Sequence, residues 1–297
     1  MTAGLSVLIP IFNYDVNGLV ESLLAQRAAW PGPVEILLLD DGSREASKAR
    51  NRPLGERAGV SYRELPGNVG RAAVRNQLVA AAQHEWLLLL DNDSRVPDAR
   101  FLARYAAARE QAAVLIGGTC YEPSPPADPT LHLRWLYGQA REARPAAVRQ
   151  AQPYQQLTIN NALIRADVLR RFPLDERLTG YGHEDTKFGQ ELAAAGVSIR
   201  HLDNPVLHDG LEPAAIFLQK SAQAVHNLAQ VFRQDGLGTG SRLLQTALRL
   251  RRLGLAPAAR AALGAVAPAL RRQLLSPAPR LRALDLLKLQ WLLRELG

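Results

Sequence analysis

Two carboxylates one residue apart, Asp91 and Asp93, directly follow five apolar residues, Trp86 to Leu90. A run of that length and composition reads as a buried strand, so the pair emerges where the strand opens into a turn. Hard oxygen ligands this close suit Mg²⁺ or Mn²⁺, which could bridge to a diphosphate and neutralise its charge as it leaves. Asp and Asn also make turns by local hydrogen bonding, and the tripeptide alone would favour that plainer account. The other apolar runs shift the balance. Leu5 to Ile11 is followed by Asn13 and Asp15, and Val34 to Leu39 by Asp40-Asp41-Gly42-Ser43. Asp40 could accept the imide N–H of a uracil or an equivalent base donor. An Asp-Gly turn capped by Ser43 is compatible with that at the same time. Asn68-Val69-Gly70 opens a helical segment carrying Arg75, and helix-start amides and arginines attract phosphate.

These residues need elements to position them. The first half alternates short strand-like runs (Leu5 to Ile11, Val34 to Leu39, Val60 to Glu64, Trp86 to Leu90, Ala113 to Ile116) with helical stretches such as Gly18 to Gln26 and Arg71 to Gln83. The pattern predicts an α/β fold whose mostly parallel sheet is flanked by helices, with ligands at the carboxyl edge of the strands. After Ile116 the alternation stops. A proline-rich loop at 122–126 leads to an expected helix over Leu131 to Glu142, an extended stretch over Pro153 to Arg165, and a helix over Glu184 to Ala195. From Pro213 the chain reads as helix, with breaks at 236–240 and 277–279. The expected division is an α/β domain over 1–210, in two parts (1–117 and 118–210), followed by a basic helical C-terminal region over 211–297.

The net charge of +8 is unevenly placed. Residues 211–297 hold 13 Lys and Arg against 4 Asp and Glu, a surplus of 9, and the remainder is nearly neutral. A nucleic-acid-binding enzyme would carry its basic surface around the working cleft, so no nucleic-acid partner is expected. A single cysteine, Cys120, rules out an intramolecular disulfide and suits a reducing compartment. The short apolar run at the N-terminus ends at Pro10 and has no basic stretch before it. No apolar run reaches the length of a membrane span. The expectation is a cytoplasmic protein.

Ser6 to Asn13, the Asp40-Asp41-Gly42-Ser43 turn, Asn68-x-Gly70 with Arg75-Asn76, and Leu90-Asp91-Asn92-Asp93 resemble, in order and spacing, the motifs of family 2 glycosyltransferases. Asn160 to Arg165 resembles the acceptor-side strand of that family, and Gly180-Tyr181-Gly182-His183-Glu184-Asp185 its glycine-aromatic-glycine-x-Glu-Asp signature. The resemblance covers roughly residues 4–210 and implies a GT-A fold, an inverting transfer and a nucleotide-sugar donor, with UDP the expected carrier. It implies donor contacts from Pro10, Phe12, Asn13, Asp40, Asp41, Asn68, Arg75 and Asn92. Asp91 and Asp93 would be ligands to Mn²⁺ or Mg²⁺, with His208 as a further ligand; His183 and His201 are weaker candidates. In the same pattern Asp185 takes the proton of the acceptor hydroxyl, with Glu184 assisting. No Gln-x-x-Arg-Trp sequence follows, which argues against a processive synthase.

The acceptor expected from this resemblance is a saccharide or a lipid-linked sugar, in cell-surface polysaccharide or glycolipid synthesis. Two other readings stand beside it: a sugar-1-phosphate nucleotidyltransferase, whose glycine-rich basic loop is missing after the first strand, and a non-catalytic nucleotide-sugar-binding module. The tail likewise has two readings. Leucines at helical spacing from Ser241 to Leu255, interleaved with Arg249, Arg251 and Arg252, would either pack against other helices or rest peripherally on the inner face of the membrane.

Overall fold

The computed structural model describes residues 3–177 and 182–297. Its strands are β1 (Leu5–Ile11), β2 (Val34–Asp40), β3 (Val60–Glu64), β4 (Trp86–Leu90), β5 (Ser94–Arg95), β6 (Val114–Ile116), β7 (Thr119–Cys120), β8 (Asn161–Arg165), β9 (Ile199–His201) and β10 (Val206–His208). Seven of them form one sheet in the order β3-β2-β1-β4-β8-β6-β9. It is parallel except at β8, which runs antiparallel to β4 and β6. A small second sheet has the order β5-β10-β7.

β1 shows why the large sheet sits where it does. Side chains alternate across a strand, and both faces of β1 are apolar. Leu5, Val7, Ile9 and Ile11 face Leu19, Val20 and Leu23 of the helix Asn17–Leu24, while Leu8 faces Val74 and Leu78 of the helix Arg71–Ala81. A strand apolar on both sides must be covered on both sides. The expected strands and the expected helical cover are therefore present, with ends shifted by a residue or two.

The chain packs as two compact units. One comprises 1–121, 143–177 and 188–210, and the other 122–142, 178–187 and 211–297. Residues 122–142 and 178–187 thus group with 211–297 rather than with the sheet. The reason for the first segment is apolar: Leu133, on the helix His132–Tyr137, is buried among Ala214, Phe217, Leu218, Leu284 and Leu287 of the tail. The tail helices are Ala214–Asp235, Arg242–Arg252, Ala256–Leu274 and Leu281–Glu295. A break at 253–255 went unforeseen. There Gly254, at φ +69°, ends one helix and Pro257 opens the next. Two further expectations shorten. Pro153 to Arg165 yields a strand only from Asn161, because Gln155 and Gln156 turn back to the Gln152 carbonyl. The helix over 131–142 is regular only to Tyr137, then widens at Gly138.

A buried polar knot holds β6, β8 and the start of β7 together. Asn161 is fully buried, accepts from the Tyr105 hydroxyl at 2.8 Å, and donates to the Gly118 and Asn204 carbonyls, both at 2.9 Å. Gly117 leaves room for this: a Cβ there would stand 2.3 Å from Asn161 Nδ2 and 2.5 Å from the Asn204 carbonyl oxygen. Gly117→Ala is expected to lower stability by about 3 kcal/mol or more, through overpacking and a broken buried network. Gly18→Ala, which meets nothing within 4 Å, should be neutral or stabilising by up to about 1 kcal/mol. Urea denaturation of both variants checks the contrast.

Candidate active site

The parallel register places the chemistry-bearing ends side by side. Ile11 pairs with Asp40 and Leu8 with Leu89, so Phe12, Asp41 and Asp91 leave the sheet at one edge. Two loops then lock. Asn13 sits at φ +53°, a left-handed conformation that asparagine tolerates. Its N–H donates to Ser43 Oγ at 2.7 Å, and its Oδ1 accepts from the Arg44 N–H at 2.8 Å. Asp40 is fully buried; its Oδ1 accepts from the Ser43 N–H at 2.7 Å while its Oδ2 has no partner. Asp41 accepts from the amides of Val69 at 2.7 Å and Gly70 at 3.3 Å, just ahead of the helix Arg71–Ala81. Asn68 Nδ2 donates to the Asp41 carbonyl at 3.3 Å. Burial pushes the Asp41 carboxyl up, against the pull of those two amides. The amides that read as a phosphate cradle are thus already engaged by an internal carboxylate. Pro10 is partly buried at the end of β1, Phe12 is exposed, and Asn92 Nδ2 reaches the Phe12 carbonyl only at 3.5 Å.

Asp91 is gripped by Arg75, its close hydrogen-bonding partner, with Arg71 at 3.5 Å. The two arginines lie four residues apart on one helix face. Burial alone would push the Asp91 carboxyl up; the two guanidinium charges outweigh it and hold the group below the usual carboxylate range. Asp93 turns elsewhere. Its Oδ2 lies 3.6 Å from His208 Nδ1, and its carbonyl accepts from the Asp209 N–H at 2.8 Å. The pairing of β10 with β5, His208 opposite Ser94, delivers the histidine to this point. His208 Nε2 is buried with no partner, and the ring stands edge-on to Tyr121.

Of the three expected ligands Asp91, Asp93 and His208, two stand within 4 Å of each other. Among the described residues no set of three His, Cys, Asp or Glu stands together as a metal site. Asp93 and His208 do meet, whereas Asp91 is neutralised by Arg75 and Arg71. Sequence reasoning also missed neighbours. Tyr14 lies close enough to Asp209 and Asp93 that burial first, and then those charges, raise its phenol. Gly210 is required because a Cβ there would come 2.6 Å from Asp93 Oδ2. A His-Asp-Gly end to a strand was the available signal.

His201 and His183, the weaker candidates, have other surroundings. Arg149 carries only donors and places Nη1 2.7 Å from His201 Nδ1, so that nitrogen accepts; Nε2–H then donates to the Pro153 carbonyl at 3.0 Å. Both ring nitrogens are used, and burial lowers the imidazole. His183, at φ +74°, precedes the helix Glu184–Ala194. Gly180 and Tyr181 of the signature lie outside the described residues. Gly182 packs where a Cβ would be 2.9 Å from Ala224 Cβ, and its carbonyl accepts from Asn227 Nδ2 at 3.1 Å. Glu184 and Asp185 occupy the first turn of that helix, where acids are favourable. They belong to the second unit.

The description Glycosyl transferase family 2 matches residues 6–172, more than half of the chain, and the chain belongs to that family. It is 33% identical over 93 residues to a dodecaprenyl-phosphate galacturonate synthase of Rhizobium johnstonii. That match spans 30% of this chain and only 28% of the relative's own length. A mannosyltransferase of Pyrobaculum calidifontis, solved with GDP-Man and Mn²⁺, shares the fold at TM-score 0.57 and 17% identity over 91% of this chain and 76% of that one. S. aureus TarS 1–349 does so at TM-score 0.52 and 17% identity, over 99% and 92% of the two chains. The glucosyl-3-phosphoglycerate synthase of Mycobacterium tuberculosis, solved with Mn²⁺ and UDP, aligns at TM-score 0.55 and 16% identity over 79% and 80%. These likenesses show a mixed α/β GT-A fold with a mainly parallel sheet.

Arg75→Met should cost about 3 kcal/mol in urea denaturation, because it strands the Asp91 carboxylate, and Arg75→Met with Asp91→Leu should recover most of that loss. His183 is held down to about 4 by burial first and by the Lys288 charge second. The unfolded chain therefore binds the proton more readily, and stability is expected to fall as pH drops from about 6.5 towards 4. Denaturation midpoints across that window check this, with His183→Asn flattening the dependence.

Proposed function

We propose that the protein is a metal-dependent inverting glycosyltransferase that moves a sugar from a nucleoside-diphosphate donor, UDP-linked, onto an acceptor hydroxyl. The observation that carries the reading is the sheet edge where Asp40, Asp91 and Asp93 emerge together, with His208 Nε2 buried and unpartnered beside Asp93. An imidazole nitrogen without a partner and a carboxylate next to it form a donor set that suits Mn²⁺ or Mg²⁺. Asp91, Asp93 and His208 would hold the ion. A divalent ion there supplies charge neutralisation to the leaving diphosphate. Asp40 presents a buried Oδ2 for a base N–H. Phe12, Asn13 and Pro10 shape that edge, with Asn92 beside them. Arg75, which pairs with Asp91, would contribute positive charge towards phosphate, while Asp41 and Asn68 fix the loop ahead of its helix.

Asp185 is assigned the base role and Glu184 the assisting one. A displacement in one step needs a carboxylate to receive the acceptor proton as the glycosidic bond forms. Membership of the family, and the dodecaprenyl-phosphate galacturonate that the Rhizobium relative is named for making, support a saccharide or lipid-linked acceptor in cell-surface glycan synthesis. Among the described residues no helix is long and apolar enough to cross a membrane. The basic second unit supplies instead a surface for peripheral contact with an acidic leaflet on the cytoplasmic side.

With Mn²⁺ and a UDP-sugar, the protein is expected to release nucleoside diphosphate slowly by donor hydrolysis. Asp185→Asn should slow that release by about a hundredfold or more while keeping the donor-induced rise in melting temperature. Asp93→Asn should lose the Mn²⁺-dependent part of that rise. Pyrophosphate release from a nucleoside triphosphate, or turnover unchanged in Asp185→Asn, would overturn the assignment.

A further inference from the structure

The chain from Gly236 to Leu284 holds nine arginines and not one Asp, Glu or Lys. Such a stretch cannot neutralise itself. Part of its amphipathic character is used internally: Leu243, Leu244, Leu248 and Leu250 of the helix Arg242–Arg252 pack into the cluster around Val225, Leu228 and Leu293. That answers the question of where those leucines go. The next helix, Ala256–Leu274, behaves differently. It is exposed along most of its length, and the apolar residues at its two ends, Leu253, Leu255 and Leu275, lie open to solvent.

A groove of about 700 Å³ runs beside this helix, between it and Leu281–Glu295. Three arginines line it, Arg260, Arg271 and Arg294, together with the buried amide of Gln290. Apolar side chains, among them Ala267 and the buried Leu287, line it as well. Arg271 lies over the Trp291 ring with its guanidinium carbon 5.7 Å from the ring centre. Among the described residues none of the three arginines has a carboxylate partner. Gly264 opens the groove: a Cβ built there meets nothing within 4 Å. Concentrated guanidinium donors beside apolar side chains match a ligand with a phosphate at one end and hydrocarbon at the other.

We propose that this groove binds the phosphate headgroup of an anionic lipid, seating the second unit on a membrane surface through a defined site rather than by diffuse charge. The inference deepens the peripheral-contact part of the functional reading and is independent of the donor chemistry. Exposed Leu253, Leu255 and Leu275 would then meet the acyl boundary while the guanidinium groups hold the headgroup.

Co-sedimentation of the full chain with phosphatidylglycerol-containing vesicles, against vesicles of phosphatidylcholine alone, tests it. The wild type should bind the first and not the second. Gly264→Gln, which fills the groove without changing any charge and replaces a helical glycine by a better helix former, should melt no lower than wild type. It should still lose vesicle binding by about tenfold or more, against the roughly fivefold expected from removing a single arginine anywhere near an acidic leaflet. Arg252→Gln, outside the groove, provides that reference, and Arg271→Gln should exceed it. Binding unchanged in Gly264→Gln, with Arg271→Gln no worse than Arg252→Gln, would show diffuse charge and overturn the site while leaving membrane contact standing. No vesicle binding by the wild type would overturn both. Titration with inorganic phosphate and glycerol phosphate completes the test. Affinity for either that matches the vesicles, and is lost in Gly264→Gln, would assign the groove to a soluble phosphate instead of a lipid.

Discussion

β1 is hydrogen-bonded on both sides to strands that run the same way, and the rest of the first unit follows from that pairing. Parallel neighbours end at the same edge, so Ile11, Asp40 and Leu90 deliver their following residues to one place. An antiparallel partner would have sent Asp91 or Asp41 to the opposite rim. The cost of the arrangement is a sheet apolar on both faces, met by the two helical layers that carry Leu19, Leu23, Val74 and Leu78. Where antiparallel order does enter, at β8, it has its own use. It brings Asn160 against the Asp91 amide at 3.1 Å and starts the strand with Asn161, the centre of the buried polar knot.

At the sheet edge the carboxylates divide by the counter-charge each finds. Asp41 is bonded to the amides that begin the Arg71–Ala81 helix, and Asp91 to the guanidinium groups of that same helix. One helix therefore neutralises two acids, and it does so only because Gly42, at φ +74°, lets the Asp-Asp-Gly-Ser turn approach within 2.6 Å of the Asn68 nitrogen and Gly67 carbon where a Cβ would stand. Asp93 lies beyond that helix's reach, two residues further on. It faces His208, whose second nitrogen is buried and unused.

The second unit follows a different rule. Its leucines build clusters around Leu133, Leu284 and Leu287 and around Leu228, Leu244 and Leu293. Its arginines are left on the outside, unopposed over the whole stretch from Gly236 to Leu284. An exterior of one sign is tolerable where water and salt screen it, and becomes useful where an acidic surface is to be met.

The period of the side chains determined much of this from the sequence alone: the alternating and continuous apolar runs of β1 to β4 and β6, the helices between them, and the strand-end positions of Asp40, Asp91 and Asp93 are local properties, legible because burial repeats every two or every 3.6 residues. Which partner each carboxylate finds was not local. It depended on Arg75 lying opposite Asp91 and on β10 pairing with β5, contacts between residues 16 and more than 100 positions apart. The break at Gly254, the grouping of residues 122–142 with the helical unit, and the groove opened by Gly264 were likewise decided by packing. A pattern of residue types records which face of an element is apolar, but tertiary structure alone decides what that face meets.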